Sequence, residues 1–213
     1  MANQKNSDFN ASVLEKKQHY QRIAFVLQGG GALGAYQVGV FRALQEYGYQ
    51  ANFLSGISIG SINSAIIAGN PPELQLPRLM DFWDSVTRIM PTDFFRMFSH
   101  FEMFRHLQNQ FGAINAMFFG QPNFFIPKQF MPWCWLESTP EQLSFYDTSP
   151  LKKTLERLID FKRINAKENT LTIGAVHIQS GELIHFNNQN TEITPEHIMA
   201  SGALPPGFPA VKI

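Results

Sequence analysis

From Ile23 the chain runs apolar through Ala24, Phe25, Val26 and Leu27, then stops abruptly at Gly29, Gly30 and Gly31. A short β-prone run ending in glycines reads as a strand entering a turn. Beyond Gly34 the apolar residues Tyr36, Val40, Phe41 and Leu44 recur at helical spacing, and Gly48 is placed to stop that helix. The same order repeats at once. NFLSGI reads as a second strand, Ser58 sits at the corner, and IGSINSAIIAG reads as a helix closing near Gly69 and Asn70. Two strand–turn–helix units in succession predict an α/β fold built on a parallel, helix-covered sheet.

After Pro72 the pattern turns helical and strongly aromatic. Leu79, Phe82, Trp83, Val86 and Ile89 lie three and four apart, on one face of a predicted helix. Phenylalanine-rich segments follow from Phe94 to Trp135. Their plain reading is a helical cap packed on the sheet; the alternative is an apolar rim that touches lipid. Ser149 and Pro150 read as the N-cap and first position of a helix whose stripe is Leu151, Leu155, Leu158 and Ile159. LTIGAVHI and ELIHFN read as a hairpin, and Thr194 and Pro195 open a short helix.

The first 20 residues are polar, with neither the apolar core nor the cleavage pattern of a secretory signal, and read as a tail. No window approaches the roughly 18 consecutive apolar residues of a membrane-spanning helix. The expectation is therefore a cytoplasmic protein, soluble or peripheral to a membrane. A single domain from residue 21 to residue 213 is expected, with the aromatic helical insertion around residues 73–135. With 17 basic and 17 acidic residues, net charge gives no reason to expect nucleic acid as a partner. A lone cysteine, Cys134, excludes a multi-cysteine metal site and reads as a packing residue, so neither metal nor cofactor is expected.

Three chemistries compete for the two glycine corners. Gly29, Gly31 and Gly34 fit the G-x-G-x-x-G of dinucleotide-binding folds. That reading requires an acid at the end of the second strand, and Gln50 to Leu54 supply none. Gly56-Ile57-Ser58-Ile59-Gly60 fits G-x-S-x-G, in which a sharp strand-to-helix turn exposes a nucleophilic serine at the positive end of a helix. Glycines two before and two after Ser58 give that turn room. An α/β-hydrolase would take its base from His177, His185 or His197, although several strands precede the serine in that fold and only two do here.

Read together the corners are far more specific. QGGGALGAYQVGVFRAL, followed by GISIGSINSAIIAG, resembles the patatin-like phospholipase family, and EHIMASGALPPGFPAVKI resembles the segment leading to that family's catalytic aspartate. The resemblance covers residues 22–70 and 145–213. It implies a three-layer α/β/α sandwich with a mostly parallel central sheet, and hydrolysis of lipid or other carboxylic esters by a Ser-Asp dyad without histidine. Carried over by position, it makes Ser58 the nucleophile and the amides of Gly29, Gly30 and Gly31 the oxyanion hole. Successive glycine N–H groups suit that task, because only backbone then approaches the developing charge.

Plant members carry an Asp before the glycines and an Arg after them, where this chain has Gln28 and Leu33. Without that arginine the implied substrate widens from phospholipid to lipid esters generally. The family's Asp-Gly-Gly or Asp-Gly-Ala does not follow FPAVKI within these 213 residues. Asp81, Asp84, Asp93, Asp147 and Asp160 follow Ser58, but each reads as a helix cap or a solvated charge. The expectation is accordingly a hydrolase piece whose aspartate base is absent, nearly inactive and poorly stable alone. A lipid-binding or interaction module that has lost catalysis is the alternative.

Overall fold

In the computed structural model the described residues are 22–87, 120–128, 139 and 143–213. Six strands are described: β1 Ala24–Leu27, β2 Phe53–Ile57, β3 Ile126–Pro127, β4 Tyr146–Asp147, β5 Thr170–Val176 and β6 Leu183–Asn187. The central sheet has the order β1-β2-β5-β6, in which β1, β2 and β5 run parallel and β6 returns antiparallel to β5 as the expected hairpin. β3 and β4 form a separate two-stranded ladder. The helices are α1 Gly34–Glu46, α2 Ile59–Ala68, α3 Pro72–Thr87, α4 Ser149–Leu158, α5 Phe161–Asn165 and α6 Pro195–Gly202. The fold is thus α/β with a mostly parallel central sheet, as the repeated strand–turn–helix order predicts.

Alternation along the strands fixes which face meets the helices. Phe25, Leu54, Leu171 and Ile173 point to one face and are buried there, while their neighbours Ala24, Val26 and Ile57 are exposed. α2 lies against that face with all ten of its residues buried, including the polar Ser61, Asn63 and Ser64. A helix apolar nearly all round is suited to such a central position. α4, α5 and α6 pack around it and bury Leu155, Leu158, Ile164 and Ile198. Asn70 fastens the far end, donating from Nδ2 to the carbonyls of Ile66 and Leu158, each at 2.8 Å.

Three sequence expectations shift. Tyr36 and Val40 lie on the exposed side of α1, at 79% and 42% exposure, whereas Phe41 is buried. Gly34 sets this orientation, since a methyl group there would come within 2.6 Å of Ile59 and 2.9 Å of Trp83. Phe41 then meets Phe25 edge-on, their ring centres 6.1 Å apart. At α4 the cap moves back one residue to Thr148, and Ser149 becomes helical. The Asp147 carboxylate causes this by accepting from both the amide and the hydroxyl of Ser149 at 2.8 Å. Asp160, which adjoins the Leu151–Ile159 stripe and reads in the sequence as a cap or solvated charge, caps not α4 but the next helix, α5, by accepting from the amides of Lys162 and Arg163.

The predicted stripe of α3 is buried at Leu79, Phe82 and Val86; Ile89 lies outside the described residues. Most of the aromatic stretch from Phe94 to Trp135, Cys134 included, does too. Its described part packs inward. Phe125 lies 4.8 Å from Tyr146 and 5.0 Å from Phe208 between ring centres, and Phe124 touches Phe82 and Phe208. Among the described residues no helix is long and apolar enough to cross a membrane.

Candidate active site

Ser58 occupies the single residue between the end of β2 and the start of α2, with φ 56° and ψ −126°. Few non-glycine residues adopt a positive φ, and holding one there costs about 1–3 kcal/mol. Close packing enforces the turn. A methyl group on Gly56 would lie 2.3 Å from the Gly60 carbonyl oxygen, and one on Gly60 would lie 2.0 Å from that of Leu27. The ends of β1 and β2 and the first turn of α2 are therefore in backbone contact, which only glycine permits. The Ser58 carbonyl accepts from the Ser61 amide at 2.9 Å and hydroxyl at 2.6 Å. Among the described residues nothing hydrogen-bonds to the half-buried Ser58 hydroxyl, which sits at the positive end of α2.

The first glycine corner lies beside this serine. A methyl group on Gly29 would stand 3.1 Å from Ser58 Cβ and 3.8 Å from its Oγ. Gly30 and Gly31 have φ values of 143° and 55°, which side chains disfavour. Among the described residues the amides of Gly29, Gly30 and Gly31 have no hydrogen-bond acceptor, and this stretch is half-buried to exposed. The structure thus brings Ser58 together with Gly56, Gly60 and Gly29, and Gly30 and Gly31 follow in the same loop.

A polar network that sequence reasoning missed holds the loop. Gln37 Nε2 donates to the Gln28 carbonyl at 2.8 Å. Asn63, buried on α2, donates from Nδ2 to the Gly34 carbonyl at 3.0 Å and to Gln37 Oε1 at 2.8 Å. Trp83 Nε1 donates to Asn63 Oδ1 at 3.2 Å. Asn63 lies one turn beyond Ser58, so both ends of the glycine loop are tied to the helix that the serine begins. Ser201 also escaped notice: its hydroxyl accepts from the Ser58 amide at 2.8 Å across 143 positions of sequence. Nothing local in the chain marks either contact.

None of the described aspartates or late histidines hydrogen-bonds to Ser58. Asp81 pairs with Arg157 at 2.7 Å, Asp147 and Asp160 satisfy helix amides, and Asp84 is exposed on α3. Asp93 lies outside the described residues. His177 meets the Ser180 hydroxyl in the β5–β6 turn, and His185 pairs in register with Gly174.

His197 is structural. Its Nδ1 accepts from the Thr194 amide at 3.1 Å, closing a reciprocal cap on α6, and its ring stands edge-on to Phe186. Burial pushes its pKa below the usual imidazole value, the neighbouring Glu196 charge opposing that shift. A lowered folded pKa means that the unfolded chain takes the proton first. Stability should therefore fall as pH drops below about 6.5, by at most about 1.4 kcal/mol per pH unit. Glu196, held down to about 2 by hydrogen bonds from Lys152 and then Thr194, adds its own loss only as pH falls below 4.5. Urea midpoints between pH 7 and 5 should slope for the wild type and flatten in His197→Gln, which retains a capping side chain. An equal slope in both would exclude His197 as the source.

A family model described as patatin-like phospholipase matches residues 25–213. Mouse patatin-like phospholipase domain-containing protein 7 is 44% identical over 64 residues, 30% of this chain and 5% of its own. The triacylglycerol lipase SDP1L of Arabidopsis thaliana is 37% identical over 62 residues, 29% of this chain and 8% of its own. The lysophospholipase nte1 of Aspergillus terreus is 48% identical over 46 residues, 22% of this chain and 3% of its own. The aligned stretches thus span less than a tenth of these relatives. The family match, by contrast, takes in the glycine loop, the Ser58 corner and α6, and this chain belongs to the patatin-like phospholipase family.

Proposed function

We propose that the protein is a serine acyl hydrolase that cleaves carboxylic esters of lipids, with Ser58 as nucleophile and the amides of Gly29, Gly30 and Gly31 as oxyanion donors. The observation that carries this reading is one juxtaposition. A backbone-strained serine stands at a helix N-terminus against Gly29, the first of three successive glycines whose amides have no acceptor among the described residues.

In this mechanism Ser58 Oγ attacks the ester carbonyl carbon and gives its proton to a carboxylate base. The carbonyl oxygen becomes an oxyanion held by the loop amides. Collapse breaks the carbon–oxygen bond to the alcohol, which leaves with that proton, and the acyl group stays on Ser58. Water then repeats the attack, with the base taking its proton, and releases the carboxylic acid and free Ser58. The base is an aspartate outside the described residues, as the family resemblance implies. Aspartate has a reference pKa near 3.9, against 6.5 for histidine, so it must act at close range in a site that excludes water.

Lipid is favoured over a small soluble ester by the apolar side chains beside the site. Leu33 and Tyr36 follow the glycine loop at 76% and 79% exposure. The names of the relatives cover a phospholipase domain, a triacylglycerol lipase and a lysophospholipase, all acting on lipids by their names. Leu33 also stands where plant members place an arginine, so phosphate recognition is not built in at that point. The full-length protein should hydrolyse lysophosphatidylcholine and triolein, with rates more sensitive to acyl length than to head group. Turnover confined to one head group would overturn the substrate class. Lipid binding without any turnover would favour the non-catalytic module.

A further inference from the structure

Ser201 is buried near the C-terminal end of α6, where a serine hydroxyl ordinarily bonds back to its own helix or faces water. Here it does neither. Its oxygen accepts from the Ser58 amide at 2.8 Å, and its proton goes to the Gly174 carbonyl on β5 at 2.5 Å. The amide can only donate and the carbonyl can only accept, so both roles of the hydroxyl are fixed.

We propose that Ser201 is a positioning residue for acyl transfer, locking the Ser58 corner to β5 and thereby directing Ser58 Oγ toward the glycine loop. This rests on the reading of Ser58 as nucleophile. Ser58 is the only residue between β2 and α2, and its positive φ is a conformation that a serine leaves when untied. Its carbonyl is held by α2 itself, whereas its amide is held by Ser201 alone among the described residues. The bond also commits that amide, so it takes no part in holding the oxyanion. Removing the hydroxyl leaves a buried N–H and a buried C=O without partners while adding no bulk.

The test uses the full-length protein, p-nitrophenyl butyrate and a fluorophosphonate probe. In Ser201→Ala, kcat and the rate of probe labelling at Ser58 should fall about 10- to 100-fold. KM should stay within about twofold, because ground-state binding is untouched. The Ser58 amide should exchange with deuterium at least about tenfold faster, and Ser201→Thr should restore all three quantities to near wild type. Unchanged exchange in Ser201→Ala overturns the proposal, as does faster exchange with wild-type labelling. If Ser201→Ala does not fold, Ser201→Cys decides: its weak thiol bonds should slow labelling, and a wild-type rate would overturn the proposal. A folded wild type that never labels overturns the nucleophile reading itself, whereas a labelling wild type with an indifferent Ser201→Ala overturns only the role of Ser201.

Discussion

Ser58→Ala in the full-length protein should lower ester turnover by about four to six orders of magnitude, the loss seen when a serine hydrolase is deprived of its nucleophile. Stability should hold or rise. The hydroxyl has no described hydrogen bond, so its removal orphans nothing, and alanine meets the same positive φ that serine meets. Backbone contacts of Gly56 and Gly60 hold the turn with either residue present. Lipid affinity should survive as well, since only transition-state interactions are lost. Steady-state kinetics with a short-chain ester and equilibrium binding of a non-hydrolysable lipid analogue check the two halves. A tenfold loss or less would mean that another group attacks the ester.

The next largest effect is expected at the glycine loop. Gly30→Val should reduce kcat by about a hundredfold to a thousandfold, the usual effect of losing one oxyanion donor. The reason is conformational. A side chain on Gly30 would stand 3.5 Å from Leu33, an ordinary contact, but the φ of 143° is one that a β-branched residue does not adopt. The backbone must therefore rotate, and the amides of Gly30 and Gly31 rotate with it. As Gly30 is exposed, the accompanying loss of stability should be only about 1–3 kcal/mol. Binding of the lipid analogue should change little. If binding and rate fell together, the loop would be a substrate-binding element and not an oxyanion hole.

Both corners could be read in the chain because each depends on glycines that the backbone geometry demands. Gly56 and Gly60 stand where a methyl group would strike backbone, and Gly30 and Gly31 where φ is positive, so residue type reports geometry directly. β1, β2 and the β5–β6 hairpin were legible for a similar reason, namely short apolar runs with turn residues at their ends, whereas the two-residue strands β3, inside the stretch expected to be a helical insertion, and β4 are too short to leave such a run. The orientation of α1 was not. Tyr36 and Val40 fit an apolar helical face as well as Phe41 does, and the approach of Ile59 and Trp83 to Gly34 decides which face turns inward.

The polar contacts that hold the site were less legible still. Asn63 and Gln37 look like any amides on a helix until folding sets α2 beside the glycine loop. Ser201 meets Ser58 only through the packing of α6 on β5. Such bonds join residues far apart in the chain and leave no periodic trace. The cap at α4 shows the same limit at short range. Ser149 and Asp147 both favour caps, and the acceptor-only carboxylate of Asp147 wins by binding Ser149 twice.

Intact mass spectrometry of the full-length protein after reaction with a fluorophosphonate tests the role of Ser58 most directly. The expected result is one adduct per chain, mapped to Ser58 and absent from Ser58→Ala. A folded protein that hydrolyses lipid esters while Ser58 remains unmodified, or that carries the adduct on another residue, would contradict it.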